Sequence, residues 1–290
     1  MKVFEFHFNP RKKDKILDSF CFEPEKVGEQ KLGGLYMVGE LKNLLPQNLK
    51  FLENLAQFIK KEYFGESQIS PEDSFSMTLK KANEFLEKIT KSENVSWLGN
   101  LNFAVLNIIW QRENYWQVNL AKVGSLKVFL LRKGEIIDVE QFLIGQKENL
   151  ASYPLKIFDK VMSGKLIKDD RILILTKEAL ACFLEKDLLK KLAWAEAKEI
   201  KKFFKKNKKD FLEISGICFL IILKEKRRIK TLFRQKSDFM KSEIGTLSPL
   251  LRENLKTISL QIKKFALNKI TILVLWLLLV LLLGFLIFRR

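Results

Sequence analysis

Residues 270–288, ITILVLWLLLVLLLGFLIF, form a run of nineteen positions without a charge. As a helix this run reaches about 28 Å, close to the roughly 30 Å hydrocarbon core of a bilayer. A helix on the surface of a soluble domain shows a polar face, and this one has none. Lys263, Lys264 and Lys269 precede it, and Arg289 and Arg290 follow it. Gly284 is compatible with a helix in lipid, where backbone groups stay bonded within the segment. The expectation is a single C-terminal transmembrane helix that anchors the chain by its tail. The N-terminus, MKVFEFHFNPRKKDK, alternates charged and apolar residues and lacks the unbroken apolar run of a signal peptide. The expected placement is therefore in a membrane, single-pass, with the N-terminal domain facing the cytoplasm. The lysines before the span agree with the positive-inside tendency, and the two terminal arginines oppose it.

The remainder is long enough for one large domain and a linker, or for two modest domains. Cys21, Cys182 and Cys218 are far apart and odd in number, so neither a disulfide framework nor a zinc knuckle is indicated. All three have apolar neighbours and are expected to be small core residues in a reducing compartment. The formal net charge is +18 and is unevenly spread. Residues 186–241 hold eighteen Lys or Arg against seven Asp or Glu. The densest block carries Lys201, Lys202, Lys205, Lys206, Lys208 and Lys209. For a tethered protein this basic patch suggests anionic lipid headgroups. A solvated face and a nucleic-acid surface are the other readings, and no reading motif for nucleic acid accompanies it.

Hydrophobic period places the elements. Residues 3–8 alternate Phe4, Phe6 and Phe8 with Glu5 and His7, which predicts a half-buried strand with the only histidine on its polar side. Residues 9–15 read as a charged turn, 18–22 as a strand, and 35–38 as a strand ending at Gly39. Helices are predicted over 48–63 and 74–90, with Pro71 in the preceding loop. Four strands follow with tight connections, 101–110, 115–122, 126–132 and 135–139, spaced as an antiparallel meander. A short helix is predicted at 154–163, a strand at 171–176, helices over 177–205, and a last strand at 214–223. The order implies an α+β fold, with the early helices covering one sheet and the late helices another. Residues 224–241 read as a basic helix, 245–249 as a break, and 250–265 as an amphipathic stalk. The expected domains are thus 1–223, a helical linker at 224–266 and the anchor at 267–290.

The stretch from Trp116 to Ile137, WQVNLAKVGSLKVFLLRKGEII, resembles the PPM-type (type 2C) metal-dependent serine/threonine phosphatases. There an alanine-rich strand enters a Gly-Asp-Ser turn, and the next strand reads R-x-Y-L-x-R-x-G. Three further stretches fall in the family's order. Leu35 to Glu40 is similar to the strand that ends in Asp-Gly. Lys165 to Glu178 is similar to G-D-x-L-L-L-x-S-D-G, and Ile214 to Ile221 to the last strand, which opens on an acidic pair. The resemblance covers roughly residues 1–223 and implies a four-layer sandwich of two antiparallel sheets flanked by helices.

The resemblance also implies two divalent ions, Mg or Mn, held by hard oxygen ligands and activating a water. The residues that would hold them have changed. Asp-Gly has become Gly39-Glu40. Ser-Asp-Gly has become Thr176-Lys177-Glu178, with an ammonium in place of a carboxylate. The final acidic pair has become Ser215-Gly216. In the sheet turn, Gly-Asp-Ser has become Gly124-Ser125-Leu126, a position that is not a metal ligand in the family but whose loss fits the same decay. Asp18 is the one family acidic position retained, from an early N-E-D that reads Ile16-Leu17-Asp18, and Glu40 is a weak substitute one position late. The phosphate-binding arginine falls near Lys13, with Arg11 close by. One carboxylate cannot hold a two-metal centre, so no catalytic residue and no cofactor is assigned. The expected function is a membrane-anchored, inactive phosphatase-like domain, a pseudophosphatase, that binds or regulates a phosphoprotein or another protein partner. The alternatives are a divergent active phosphatase using Mg or Mn, and an anchored basic protein that binds anionic lipid or nucleic acid.

Overall fold

The computed structural model describes residues 1–224, apart from 10, 13, 66–68, 93–94, 112–114 and 144–156. The expected linker and the 270–288 span lie outside the described residues. Among the described residues no helix is long and apolar enough to cross a membrane.

The chain opens with β1 (Lys2–Phe8), β2 (Arg11–Lys12), β3 (Lys15–Phe22) and β4 (Gly34–Lys42). Two helices follow, α1 (Phe51–Gly65) and α2 (Pro71–Lys91). Then come β5 (Leu101–Trp110), β6 (Trp116–Val123), β7 (Lys127–Arg132), β8 (Glu135–Asp138), β9 (Val161–Leu166) and β10 (Arg171–Leu175). The late helices are α3 (Lys177–Glu185), α4 (Leu188–Trp194) and α5 (Ile200–Lys206), and β11 (Gly216–Ile222) closes the domain. One sheet has the order β1-β11-β10-β7-β8 and the other β2-β3-β4-β5-β6-β9, with every pairing antiparallel.

Alternation along the strands sorts the apolar side chains into three layers. Tyr36, Val38, Leu106, Val128, Ile174 and Phe219 fill the space between the sheets. Met37, Phe103 and Val105, on the opposite face of the six-stranded sheet, pack on Leu55, Ile59 and Leu79 of α1 and α2. Leu131, Leu173 and Leu220 of the other sheet pack on Phe183, Leu192 and Phe204 of α3, α4 and α5. The result is a helix–sheet–sheet–helix sandwich, with early and late helices on opposite outer faces, as the element order implied.

Five local expectations are corrected. The meander breaks at Gly124 (φ +75), where the chain passes from β6 in one sheet to β7 in the other. Where a short helix was expected, Val161–Leu166 is a strand at the sheet edge, too exposed to carry a clear apolar period. Pro71 is not in the loop but in the first turn of α2, where a missing N–H costs nothing, behind Ser70 whose hydroxyl accepts from Asp73 N at 3.1 Å. The strand at 35–38 does not end at Gly39; it continues to Lys42. Gly39 is there because α1 lies close. A Cβ on it would sit 2.9 Å from both Leu52 Cδ2 and Phe103 Cδ2. Cys182 and Cys218 are buried as expected, but Cys21 is exposed. Burial of part of its surface and the neighbouring Glu5 carboxylate push its thiol up to about 12.

Candidate functional site

Four segments that carry the sequence motifs meet at one end of the sandwich. Glu40 lies in β4 in phase with Tyr36 and Val38, so its carboxylate faces the space between the sheets, where it is 1% exposed. Its cross-strand neighbour Asn102 donates Nδ2 to Glu40 Oε2 at 2.9 Å. Lys15 opens β3 in phase with Leu17 and faces the same space, 3% exposed. From the other side Thr176 leads into α3, and Gly216 starts β11 against it. A Cβ on Gly216 would meet Thr176 Oγ1 at 2.5 Å, so only glycine lets the helix start this close. The same turn brings Glu178 over the cleft, where its Oε2 accepts from Ser215 N at 3.0 Å.

Lys15 joins these parts. Its ammonium donates to Glu178 Oε1 at 2.5 Å and to the Ser215 carbonyl at 3.1 Å, and lies 3.9 Å from Glu40 Oε1. It thereby ties the six-stranded sheet to α3 and the approach to β11. Lys42 adds a second cation, 3.6 Å from Glu40 Oε2. Burial nevertheless raises the Glu40 pKa, outweighing the pull of Lys42 and Lys15. The polar contacts continue sideways. Asn102 Oδ1 accepts from Ser125 N and Oγ at 2.7 and 3.0 Å. Lys122 donates to Gly124 O and Leu126 O and pairs with Glu140, which also pairs with Lys127. Lys127 reaches Asp138 at 3.4 Å. Burial pushes the Glu140 carboxyl up, but the hydrogen bonds from its two lysines prevail and hold it below its ordinary value.

Asp18 and Glu40, the two acidic residues proposed from sequence as metal ligands, are not brought together. Asp18 is in register with Gly39, hence on the α1-facing side of β3 rather than with Glu40, and its Oδ1 accepts from Ser19 N at 2.8 Å. Lys177 is exposed. The ammonium inside the cleft is that of Lys15, which falls in the stretch expected to be a charged turn. Asp170 is engaged by Arg132, at 2.9 Å from Nε and 2.6 Å from Nη2. The side chains of Arg11 and Lys13 fall outside the described residues. Lys201, Lys202, Lys205, Lys206, Lys208 and Lys209 are exposed on α5 and the turn after it. That layer is held down by Phe204 and Phe211, stacked on Phe6 at 3.5 Å and Phe8 at 4.3 Å.

The metals that the resemblance implies do not fit this donor set. A divalent ion needs several carboxylate oxygens free to converge. Here the two carboxylates that face the cleft already share an internal cation, and a dication beside it would meet like-charge repulsion. Among the described residues no group of three or more His, Cys, Asp or Glu is placed to hold a metal. A groove of about 560 Å³ between the sheets, along β9, is lined by Leu106, Val118, Leu120, Val128 and Met162, and it does not include the Lys15 cluster.

No family model and no curated protein matches the chain. Solved structures do. A bacterial serine phosphatase carrying a point substitution superposes with a TM-score of 0.50 at 12% identity, over 77% of this chain and 97% of that one. The fold is that of the PPM-type phosphatases. PppA, described as a key regulatory component of the type VI secretion system in Pseudomonas aeruginosa, matches with a TM-score of 0.48 at 10% identity, over 77% of this chain and 96% of that one. The Mycobacterium tuberculosis serine/threonine phosphatase PstP matches with a TM-score of 0.47 at 12% identity, over 78% and 98%. In this PPM-type sandwich the Lys15 cluster lies where the sequence motifs converge.

Proposed function

We propose that this protein is a membrane-tethered domain of PPM-phosphatase fold that binds or regulates a protein partner and does not hydrolyse phosphoesters. The supporting observation is the Lys15 ammonium between Glu40 and Glu178. A two-metal mechanism needs carboxylates to hold the ions and a water between them. In this chain the inward carboxylates are neutralised by an internal lysine, and the chemistry has no place to start. The tether reading rests on the uncharged run at 270–288 and divides the chain into the folded domain, a basic linker at 224–266 and the anchor at 267–290.

The test uses the full chain in detergent with millimolar Mn²⁺ or Mg²⁺ and a generic phosphomonoester. Calorimetry reads ion binding and product release reads turnover. Neither is expected. Two bound ions with turnover that is abolished in Glu40→Gln would overturn the reading in favour of a divergent phosphatase.

A further inference from the structure

We infer that the surface around Trp194, at the end of the domain where the chain leaves β11, lies against the headgroup layer of an anionic bilayer. The inference rests on the proposed tether and adds to it a specific face.

Trp194 ends α4 and is 73% exposed. One face of the indole rests on the neighbouring backbone. It lies on the turn between β7 and β8 at Gly134 (φ +86), where a Cβ would come within 2.1 Å of Trp194 Cζ2. Ile167, 43% exposed, lines the same shallow depression of about 170 Å³, together with Lys133, Lys168 and Arg171. Single exposed apolar residues are ordinary. An exposed tryptophan and an isoleucine sharing one depression with three basic residues make a different arrangement, one suited to the interface between water and lipid, where indole rings concentrate. Asp169 is also exposed there, while Asp170 is buried and already held by Arg132. Arg171 Nη1 donates to Leu192 O at 2.7 Å, and the charged groups lining the depression, Lys133, Lys168 and Arg171 against Asp169 and Asp170, keep a net positive balance.

Position supplies the second argument. Leu223 N donates to Asp170 O at 2.9 Å, and Asp169 N to Leu223 O at 2.8 Å. The last strand thus ends on the turn that carries Ile167 and Lys168. The residues that follow, 224–241, contain eight Lys or Arg against two Asp or Glu, and the uncharged run comes after them. A chain drawn toward an anionic surface along this basic stretch leaves the domain beside Trp194. The six exposed lysines of α5 and its following turn are carried nearer the other end, by a layer in which Phe204 stacks on Phe6, paired with Cys218, and Phe211 on Phe8, paired with Gly216, about 13–20 Å along β11 from its exit at about 3.3 Å per residue.

The experiment reconstitutes the full chain into phosphatidylcholine vesicles with and without phosphatidylserine. The emission of Trp194 is taken as the difference between the wild type and Trp194→Phe. Brominated lipid should quench that share in the anionic vesicles, and aqueous acrylamide should quench it severalfold less than in detergent. High salt should reverse both effects, because exposed charges are screened. Chains that float with the vesicles while Trp194 stays open to acrylamide would overturn this inference alone. Chains that fail to float would sink the tether and this inference together. Shielding from acrylamide without quenching by brominated lipid would assign the face to a protein, such as a second copy of the chain, and would also overturn it.

Discussion

Replacing Lys15 by methionine should expose what the internal cation does. Lys15 is 3% exposed and Glu40 1%. Glu178, with 46% of its side chain exposed, can recover its hydration by swinging outward. Glu40 cannot, and would keep only the Asn102 amide at 2.9 Å and Lys42 at 3.6 Å. Removing one member of a buried pair costs about 3–5 kcal/mol, and the two remaining partners place this case near the low end, about 3 kcal/mol. At about 2–4 °C per kcal/mol for a domain of this size, the midpoint should fall by about 6–12 °C. The loss should also depend on pH in a particular sense. Burial raises the Glu40 pKa above its ordinary value, and removing Lys15 raises it further. A carboxyl whose folded pKa is the higher one holds more protons folded than unfolded, so stability falls as pH rises through the window between the two values. The deficit of Lys15→Met should therefore shrink as pH falls toward the ordinary carboxylate range. Adding Glu40→Gln should recover most of it and flatten the pH profile. Thermal unfolding of the full chain in detergent, followed by circular dichroism, measures both. A deficit below about 3 °C, or one that is the same at every pH, would refute the assignment of Lys15 as the counter-charge of Glu40.

Two further substitutions test the frame around the site. Gly39→Ala should cost about 1–3 kcal/mol through overpacking against Leu52 and Phe103, each 2.9 Å from the added Cβ, read as a lower urea midpoint. An unchanged midpoint would mean that α1 can retreat from the sheet. Arg132→Met should cost about 3 kcal/mol, because Asp170, 2% exposed, would lose its two-point partner and keep Ile167 N at 2.8 Å. Its urea transition should shift without a change in slope, since the surface exposed on unfolding is the same.

The layers were legible because burial imposes a period. The helices over 48–63 and 74–90 and the runs at 101–110 and 171–176 each carry an apolar phase that survives one or two residues of error at the ends. The site was less legible because its signals are not periodic. Gly39 looked like the end of a strand, since glycine marks turns, whereas its role is to let Leu52 approach. Lys15 sits among Arg11, Lys12, Lys13 and Asp14, and nothing in the local sequence separates a buried lysine from four charged neighbours. The one available clue was phase: Lys15 is two residues before Leu17, on the inward side of the same strand. Asp18 illustrates the converse. Its position in the family pattern drew attention, yet one step along a strand turns a side chain to the opposite face. The sheet change at Gly124 was invisible because a two-residue turn reads alike within one sheet and between two.

The charges at this end of the sandwich bear on how a partner would be recognised. Lys15 and Lys42 stand against Glu40 and Glu178, and Lys122 and Lys127 against Glu140 and Asp138. In this network each cation already has a carboxylate. A phosphate entering here would have to displace Glu178 or Glu140, and a metal ion would have to displace a lysine. Either exchange gives up a formed pair to make a new one, so the net attraction is small. Charge at the cleft therefore holds the two sheets together rather than drawing in a ligand. Recognition is then expected to come from surfaces whose apolar or cationic groups are not engaged in such pairs. The exposed indole of Trp194 beside Ile167 is one such surface, and it lies near the opposite end of β11 from the Lys15 cluster.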